Sequence, residues 1–374
     1  MVLETLWFGI SLQHWLIPIS IGYFVLLLLL VKAVARGQMF RRLMHHSVLH
    51  TLGVGVALAA WGIYVLPGSA YLEGFNYLGY LMGISALFLC APVLLEPILR
   101  LVKNYQLFSL PDLLSFRYKN RLVGQAATAF LLLVTLIYFA MQILVLDRVV
   151  TAFHGNLLHT LCIYAALIFF LMYLQRLFNT MEYRNNKQLM LVIAIQSLVK
   201  MAFLVVLALV CIGVVFGGLT PFNDWIYNHP AHVERLFEPM HSGTWQLSIL
   251  LFSFFAILMP HMYQSVFVEN NRPDEMSQVS WGVSLYLLPL AIIVPIVMWS
   301  AIKLGYTDTP EQMLSQVIFA IDSIWLWLFF YIAIVSALCS SMMIGLVALS
   351  SMVFNHFMSG FYQPQQKRHT LERY

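Results

Sequence analysis

The sequence predicts an all-α, polytopic membrane helical bundle of about nine transmembrane helices, and three observations carry that expectation. Apolar residues make up 61% of the chain and charged residues only 10%, with a mean hydropathy of +0.82. A soluble core of 374 residues does not need that balance, and a set of bilayer spans does. Charge-poor runs of roughly twenty residues recur along the whole chain. Lysine and arginine gather in alternate loops, which is the mark of a defined orientation in a membrane.

The expected spans lie near 8–31, 47–66, 75–102, 123–150, 157–175, 188–216, 244–268, 279–302 and 324–358. No basic region or small-residue cleavage site precedes the first, so it reads as a retained anchor. Lys32, Arg36, Arg41 and Arg42 follow the first span. Arg100, Lys103, Arg117, Lys119 and Arg121 follow the third, Arg176, Arg184 and Lys187 the fifth, and Arg272 the seventh, with Lys367, Arg368 and Arg373 in the tail. These lie on one side, against Arg148, Arg235 and Lys303 on the other and Lys200 inside a span. The N-terminus is therefore expected outside and the C-terminus in the cytoplasm. Cys90, Cys162, Cys211 and Cys339 all fall in apolar segments and read as buried free thiols, with no Cys/His spacing suited to zinc.

The longest outer loop, 217–243, carries Trp225, Tyr227 and several histidines, and reads as an interfacial or ordinary surface loop. The inner segment 104–121 is more specific. Ser109 can cap a helix that has Pro111 near its start and Asp112 in its first turn, giving a short helix on the cytoplasmic face.

Several residues inside spans could carry chemistry. Ser336, Ala337, Ser340 and Ser341 share one face of the last helix, where small groups and hydroxyls serve either close packing or a hard cation. The second span runs from Gly53 through Gly55, Gly62 and Gly68 with Trp61 in its middle. Such a glycine-rich stretch reads either as close helix packing or as a helix broken near the midplane, with freed carbonyls. Pro260, in Met259-Pro260-His261-Met262-Tyr263-Gln264, kinks the seventh span and frees a carbonyl. His261 and Gln264 face a wet cavity, the inner interface or a structural partner.

Glu96 and Arg100 form an i,i+4 pair, Asp147 and Arg148 snorkel at an outer end, and Asp322 caps the last span. Lys200, three turns into the sixth span, either snorkels or serves function. Gln142, deep in the fourth span, must meet another helix or a bound solute. No nucleophile–base pair, carboxylate dyad or phosphate loop is present, so no enzyme is expected.

Several segments together resemble the sodium:solute symporter family, and most closely the symporter-like N-terminal membrane domain of bacterial sensor histidine kinases. Ala60-Trp61-Gly62-Ile63-Tyr64 with Leu66-Pro67-Gly68 is similar to the family's broken first core helix. Ser109-Leu110-Pro111-Asp112-Leu113-Leu114 with Arg117-Tyr118 resembles its cytoplasmic signature, carried by Pro111, Asp112 and Arg117. Tyr138 to Gln142 resembles the third core helix. Ala194-Ile195-Gln196-Ser197-Leu198-Val199-Lys200 is similar to a motif of the kinase-linked branch. So are Leu258-Met259-Pro260-His261, Val268-Glu269-Asn270, and Ala348-Leu349-Ser350-Ser351-Met352. The resemblance covers about residues 45 to 358.

It implies an inverted-repeat (5+5) symporter fold truncated after core helix 8. Residues 1–44 would form an extra N-terminal helix and basic loop, 45–216 the first five-helix repeat, and 217–243 the outer loop. Residues 244–358 would be an incomplete second repeat and 359–374 a cytoplasmic tail, with the missing helices supplied by another polypeptide. It also implies a sodium ion held by Gly55, Leu58, Ala337, Ser340 and Ser341, and substrate near Trp61, Gln142 and Phe254. Where the proline symporter branch has an aspartate, this chain has Ala57.

The function so implied is a sodium:solute symporter-like protein of the inner membrane, moving a small polar solute such as an amino acid by alternating access. The alternatives are a sensory module partnered with a histidine kinase, or an inactive remnant of either. The lipid bilayer and the solute are the expected partners, and nucleic acid is not.

Overall fold

The computed structural model describes residues 6–7, 10–36, 47–180, 187–237, 244–270 and 276–358. Arg41, Arg42, Arg184, Arg272, Lys367, Arg368, Arg373, residues 238–243 of the outer loop and the tail 359–374 lie outside the described residues. So do the side chains of Arg36, Arg176 and Lys187.

A two-residue antiparallel pair, β1 (Leu6–Trp7) with β2 (Ile10–Ser11), precedes α1 (Leu12–Arg36). The second expected span is interrupted. Helix α2 (Ser47–Val54) tightens into a 3-10 turn at Gly55–Ala57, the chain breaks at Leu58 and Ala59, and α3 (Ala60–Glu73) resumes. The third comprises α4 (Leu78–Leu89) and α5 (Leu95–Tyr105), and α6 (Leu110–Tyr118) is the short helix that Ser109 was expected to cap. Then come α7 (Arg121–Ala152), α8 (Leu157–Thr180) and α9 (Lys187–Val210), the last opening into a π-helical turn at Cys211–Phe216.

Where described, the segment expected as a loop over 217–243 is helical, as α10 (Leu219–Asn228) and α11 (Pro230–Phe237). The seventh span breaks between α12 (Thr244–Leu258) and α13 (Pro260–Tyr263), which continues as a π-helical turn through Val268. Helices α14 (Met276–Lys303), α15 (Met313–Ala320) and α16 (Ile324–Val353, extended by a turn at Phe354–Met358) complete the described chain.

Each expected span thus corresponds to a helix or a broken helix, and the protein is a polytopic helical membrane bundle. By length and apolarity alone five helices can cross a bilayer: Gln13–Leu30, Arg121–Ala152, Leu189–Phe216, Met276–Lys303 and Ile324–Met358. Counting each bent pair as one span raises this to seven, and Leu157–Tyr173 is a shorter apolar helix. The nine expected segments exceed seven because the third falls within the same bent pair as the second, Val48–Ala57 with Ala60–Leu89, and the fifth is that shorter helix.

Helix α14 works as an internal ruler for these arms. The Ser280 hydroxyl donates to the Phe88 carbonyl, and further along α14 the Tyr77 hydroxyl donates to the Ala291 carbonyl at 2.9 Å. A Cβ placed on Gly282 would meet the Thr51 side chain, one on Gly55 would meet Tyr286, and Ala70 shares a small cavity with Met298. Climbing α14, partners from the second span therefore rise in number while those from the third fall. Helices α3 and α4 run antiparallel, and Gly74, at φ 54°, allows the reversal between them.

Burial ranks the helices. In Ile324–Met358 83% of the apolar window is buried, against 22% in Gln13–Leu30. Helix α16 is therefore the central post and α1 lies at the periphery.

Smaller expectations resolve as follows. Arg100 pairs with Glu96 at 2.7 Å. Arg148 pairs with Glu311 at 2.7 Å rather than only snorkelling, and Asp147 accepts from Thr160. Asp322 does not cap α16: it turns the chain at φ 51°, and Ser323 occupies the cap position with no side-chain bond. Cys90 is exposed, Cys162 half-buried, and only Cys211 and Cys339 are buried.

Candidate functional site

The centre of the bundle is built on two helix breaks. The chain bends by 64° between Val48–Ala57 and Ala60–Leu89 and by 63° between Thr244–Leu258 and Pro260–Val268. At the first break, Leu58 (φ −81°, ψ 83°) and Ala59 (φ −85°, ψ 171°) leave the helical region, so carbonyls near the end of α2 lose their i+4 donors. At the second, Pro260 has no N–H and Met259 extends (ψ 128°) ahead of it, as expected before proline. Glycine makes the first break possible by space rather than by backbone angle. A Cβ on Gly55 would lie 2.6 Å from Ser197 Oγ and 2.8 Å from Ser197 Cβ. A Cβ on Gly68 would lie 2.2 Å from the Pro310 carbonyl oxygen, so Gly68 admits the 310–312 turn against α3. Close packing and a broken helix, alternatives in sequence, therefore coexist here.

The carbonyls at the first break are taken up by specific partners. Gly55 O accepts from Leu58 N at 3.1 Å, and Ala57 O from Ala59 N at 3.0 Å and from the Tyr80 hydroxyl. Lys200, fully buried on α9, aims Nζ into the same break and donates to Gly55 O at 2.9 Å, to Leu58 O at 2.9 Å and to Ser340 Oγ at 3.4 Å. Ser340 donates its own proton to Ala337 O at 3.0 Å, leaving its lone pairs toward the ammonium. Ser341 instead donates to Leu338 O at 3.0 Å, and Ser336 to Gln196 O at 3.3 Å.

The structure thus gathers Gly55, Leu58, Ala337 and Ser340 around Lys200, with Ser341 one position round the helix. Lys200 does not snorkel. Its place among these oxygens is a role that a linear reading of α9 cannot show, although a lysine in an apolar span is a functional candidate by default.

Beside this lies a second group of polar atoms. Gln142, fully buried on α7, accepts from the backbone N–H of Trp61 at 3.1 Å, supplying a partner to an orphan donor in the first turn of α3. Its amide nitrogen has no hydrogen-bond partner among the described residues. One turn earlier, Tyr138 stacks on His261 with ring centroids 4.6 Å apart and places its hydroxyl beside Ser341. Both ring nitrogens of His261 lack a hydrogen-bond partner among the described residues.

Trp61 is half-exposed, with its backbone engaged by Gln142. Phe254, expected in the substrate site, is not brought there. It is 53% exposed and shares an outward stripe with Leu247, Leu250, Leu251 and Leu258, spaced as one helix face turned to lipid. Its neighbour Phe255 turns inward and meets His261 edge-on at 5.9 Å.

The segment that carries Pro111, Asp112 and Arg117 forms a separate joint. Ser109 caps α6 by accepting from Asp112 N, and Pro111 stands in the first turn. Asp112 then holds the end of the central helix, with His356 Nε2 at 2.9 Å on one oxygen and Asn355 Nδ2 at 3.1 Å on the other. Arg117 is exposed in the last turn of α6, where a cation suits the free carbonyls.

Two discontinuous helices thus face a central post, and their breaks leave backbone groups outside the regular helical pattern. Among solved structures the chain matches a substrate-bound, outward-open Na+-coupled sialic acid symporter, described as revealing a novel Na+-site. The TM-score is 0.70 at 15% identity, covering 95% of this chain and 77% of that one. The chain therefore has a symporter fold. No family model matches the sequence, and no curated protein does.

The donor set does not accommodate a sodium ion together with Lys200. Gly55 O, Leu58 O and the Ser340 hydroxyl are already hydrogen-bonded to Nζ. A second unit charge ~4 Å from the ammonium would cost ~4 kcal/mol at an effective dielectric constant of ~20. Among the described residues no carboxylate pairs with Lys200 to offset it, and Ala57 adds none.

Proposed function

We propose that this protein binds a small polar solute between its two helix breaks and exposes it to either side of the membrane by alternating access. Residues 45–216 would act as the first five-helix repeat and 244–358 as the start of the second, with the N-terminus outside. One observation carries the reading: buried hydrogen-bonding atoms of Gln142 and His261 stand beside both breaks with no partner among the described residues. A buried amide or imidazole left in that condition costs about 1–3 kcal/mol, which a bound solute would recover. Gln142 Nε2 is a donor and suits a carboxylate or carbonyl oxygen, while His261 supplies one donor and one acceptor. An amino acid or another carboxylate-bearing polar solute matches that set, and sialic acid, the solute of the neighbouring fold, belongs to the same chemical class.

The test is a thermal-shift panel of amino acids and acidic sugars on the purified protein. A subset of these solutes should raise its melting temperature, and Gln142→Leu should remove that response while the protein remains folded. A panel without any stabilising solute, or an unchanged response in Gln142→Leu, defeats the reading.

A second reading, a sensory module that reports solute to a histidine kinase, is favoured by the seated Lys200, because solute binding without ion release suits a detector. Binding without uptake into proteoliposomes would select it, and uptake would select the transporter.

A further inference from the structure

We infer that Lys200 is the resident cation of the first helix break: its ammonium takes the position at which the resemblance places sodium, and the protein works there without a sodium ion. The inference deepens the solute-binding reading but rests on its own geometry. An ammonium has three donors and no acceptor. Three oxygens face it here, Gly55 O and Leu58 O at 2.9 Å and Ser340 Oγ at 3.4 Å.

Each oxygen is prepared to accept. Gly55 O has spent one lone pair on Leu58 N and keeps the other. Ser340 has spent its proton on Ala337 O. The Ala57 carbonyl, which points elsewhere, is taken by Tyr80 and Ala59. These carbonyls sit at the C-terminal end of a half-helix, the negative end of its dipole, so the site attracts one cation without any buried carboxylate.

The consequence follows from the tether. A sodium ion leaves its site when the protein opens inward, and that release links solute movement to the ion gradient. The Lys200 ammonium is covalently held on α9 and crosses nothing. It pins α9, the first break and α16 together, and no sodium gradient is drawn on at this position.

The test compares the purified protein in sodium chloride and in choline chloride at equal ionic strength, together with 22Na+ binding. Wild-type protein should melt at the same temperature in both salts, within about 1 °C, and bind no displaceable 22Na+ at this site. Lys200→Ala should vacate the position, bind 22Na+ and gain at least about 3 °C in sodium over choline. Lys200→Ala with Ser340→Ala should lose both gains.

Sodium-specific binding or stabilisation of wild-type protein that Ser340→Ala abolishes overturns the inference, as does a folded Lys200→Ala variant indifferent to sodium. Should Lys200→Ala fail to fold in either salt, the wild-type comparison with Ser340→Ala decides alone. None of these readouts uses the solute, so a failed solute panel leaves this result standing, and a sodium-binding wild type leaves the solute reading standing.

Discussion

Replacing Gly55 with alanine sets two effects against each other, and their magnitudes decide the sign. Helix propensity alone favours alanine over glycine by about 1 kcal/mol. Sterics oppose it, because the new Cβ would sit 2.6 Å from Ser197 Oγ, 2.8 Å from Ser197 Cβ and 3.1 Å from Tyr286 Cζ. Two of these distances are closer than real Cβ contacts come, and Ser197 stands on a packed helix, so the break and α9 must move apart.

Overpacking of this kind costs about 1–3 kcal/mol. The displacement acts one turn from Lys200, whose ammonium bonds the carbonyl of Gly55 itself, and a hydrogen bond to a charged group is worth about 1.5–3 kcal/mol. The expected net loss for Gly55→Ala is about 2–4 kcal/mol after the propensity gain. Reversible unfolding in mixed detergent micelles measures it. Ser197→Gly removes the two nearest atoms, so most of the loss should vanish in the double variant. Gly55→Ala as stable as wild type refutes the steric account. Costs that add within about 0.5 kcal/mol refute the assignment of the clash to Ser197.

Two further outcomes test the periphery. Asp112→Ala removes the acceptor of Asn355 and the carboxylate that lies 2.9 Å from His356 Nε2, and should cost about 1–3 kcal/mol. It should also speed hydrogen exchange of amides 354–358, and exchange rates equal to wild type would show that the joint does not hold the end of α16. On helix α11, burial, with His229 and Arg235 nearby, holds the His232 imidazole below its ordinary value of 6.5. The folded state therefore prefers neutral His232. Its contribution to stability is present above pH 6.5 and is lost as pH falls through that unfolded-state value toward the folded one. An NMR titration should show the His232 midpoint rising toward the ordinary value in Arg235→Ala, and an unmoved midpoint rejects the Arg235 contribution.

Much of the architecture was legible in sequence because a bilayer imposes length and apolarity on every crossing element. Each of the nine expected segments is matched by a helix or a broken helix. Ser109, Pro111 and Asp112 marked the start of α6, since capping chemistry is local. Pro260 announced its break for the same reason. The turn between α4 and α5 was not anticipated, although Pro92 stands in it, because the flanking residues are apolar throughout and read as one continuous span. Phe254 was misplaced against Phe255 by a single residue, which on a helix is a rotation of roughly 100° and separates lipid from interior.

Composition and charge by themselves determined that this chain is a helical membrane bundle, and local motifs located its breaks. Lys200 shows what only the tertiary structure decided. In sequence it was a cation three turns into a span, free to snorkel or to serve. It stands 145 residues from Gly55 and 140 from Ser340, and no local pattern ties the three together. Only the packing of α9 against the broken α2–α3 and the central α16 brings two carbonyls and a hydroxyl around one ammonium. Hydrogen-bond satisfaction in a water-poor interior then selects that arrangement, because a buried amine must find its acceptors wherever the fold places them.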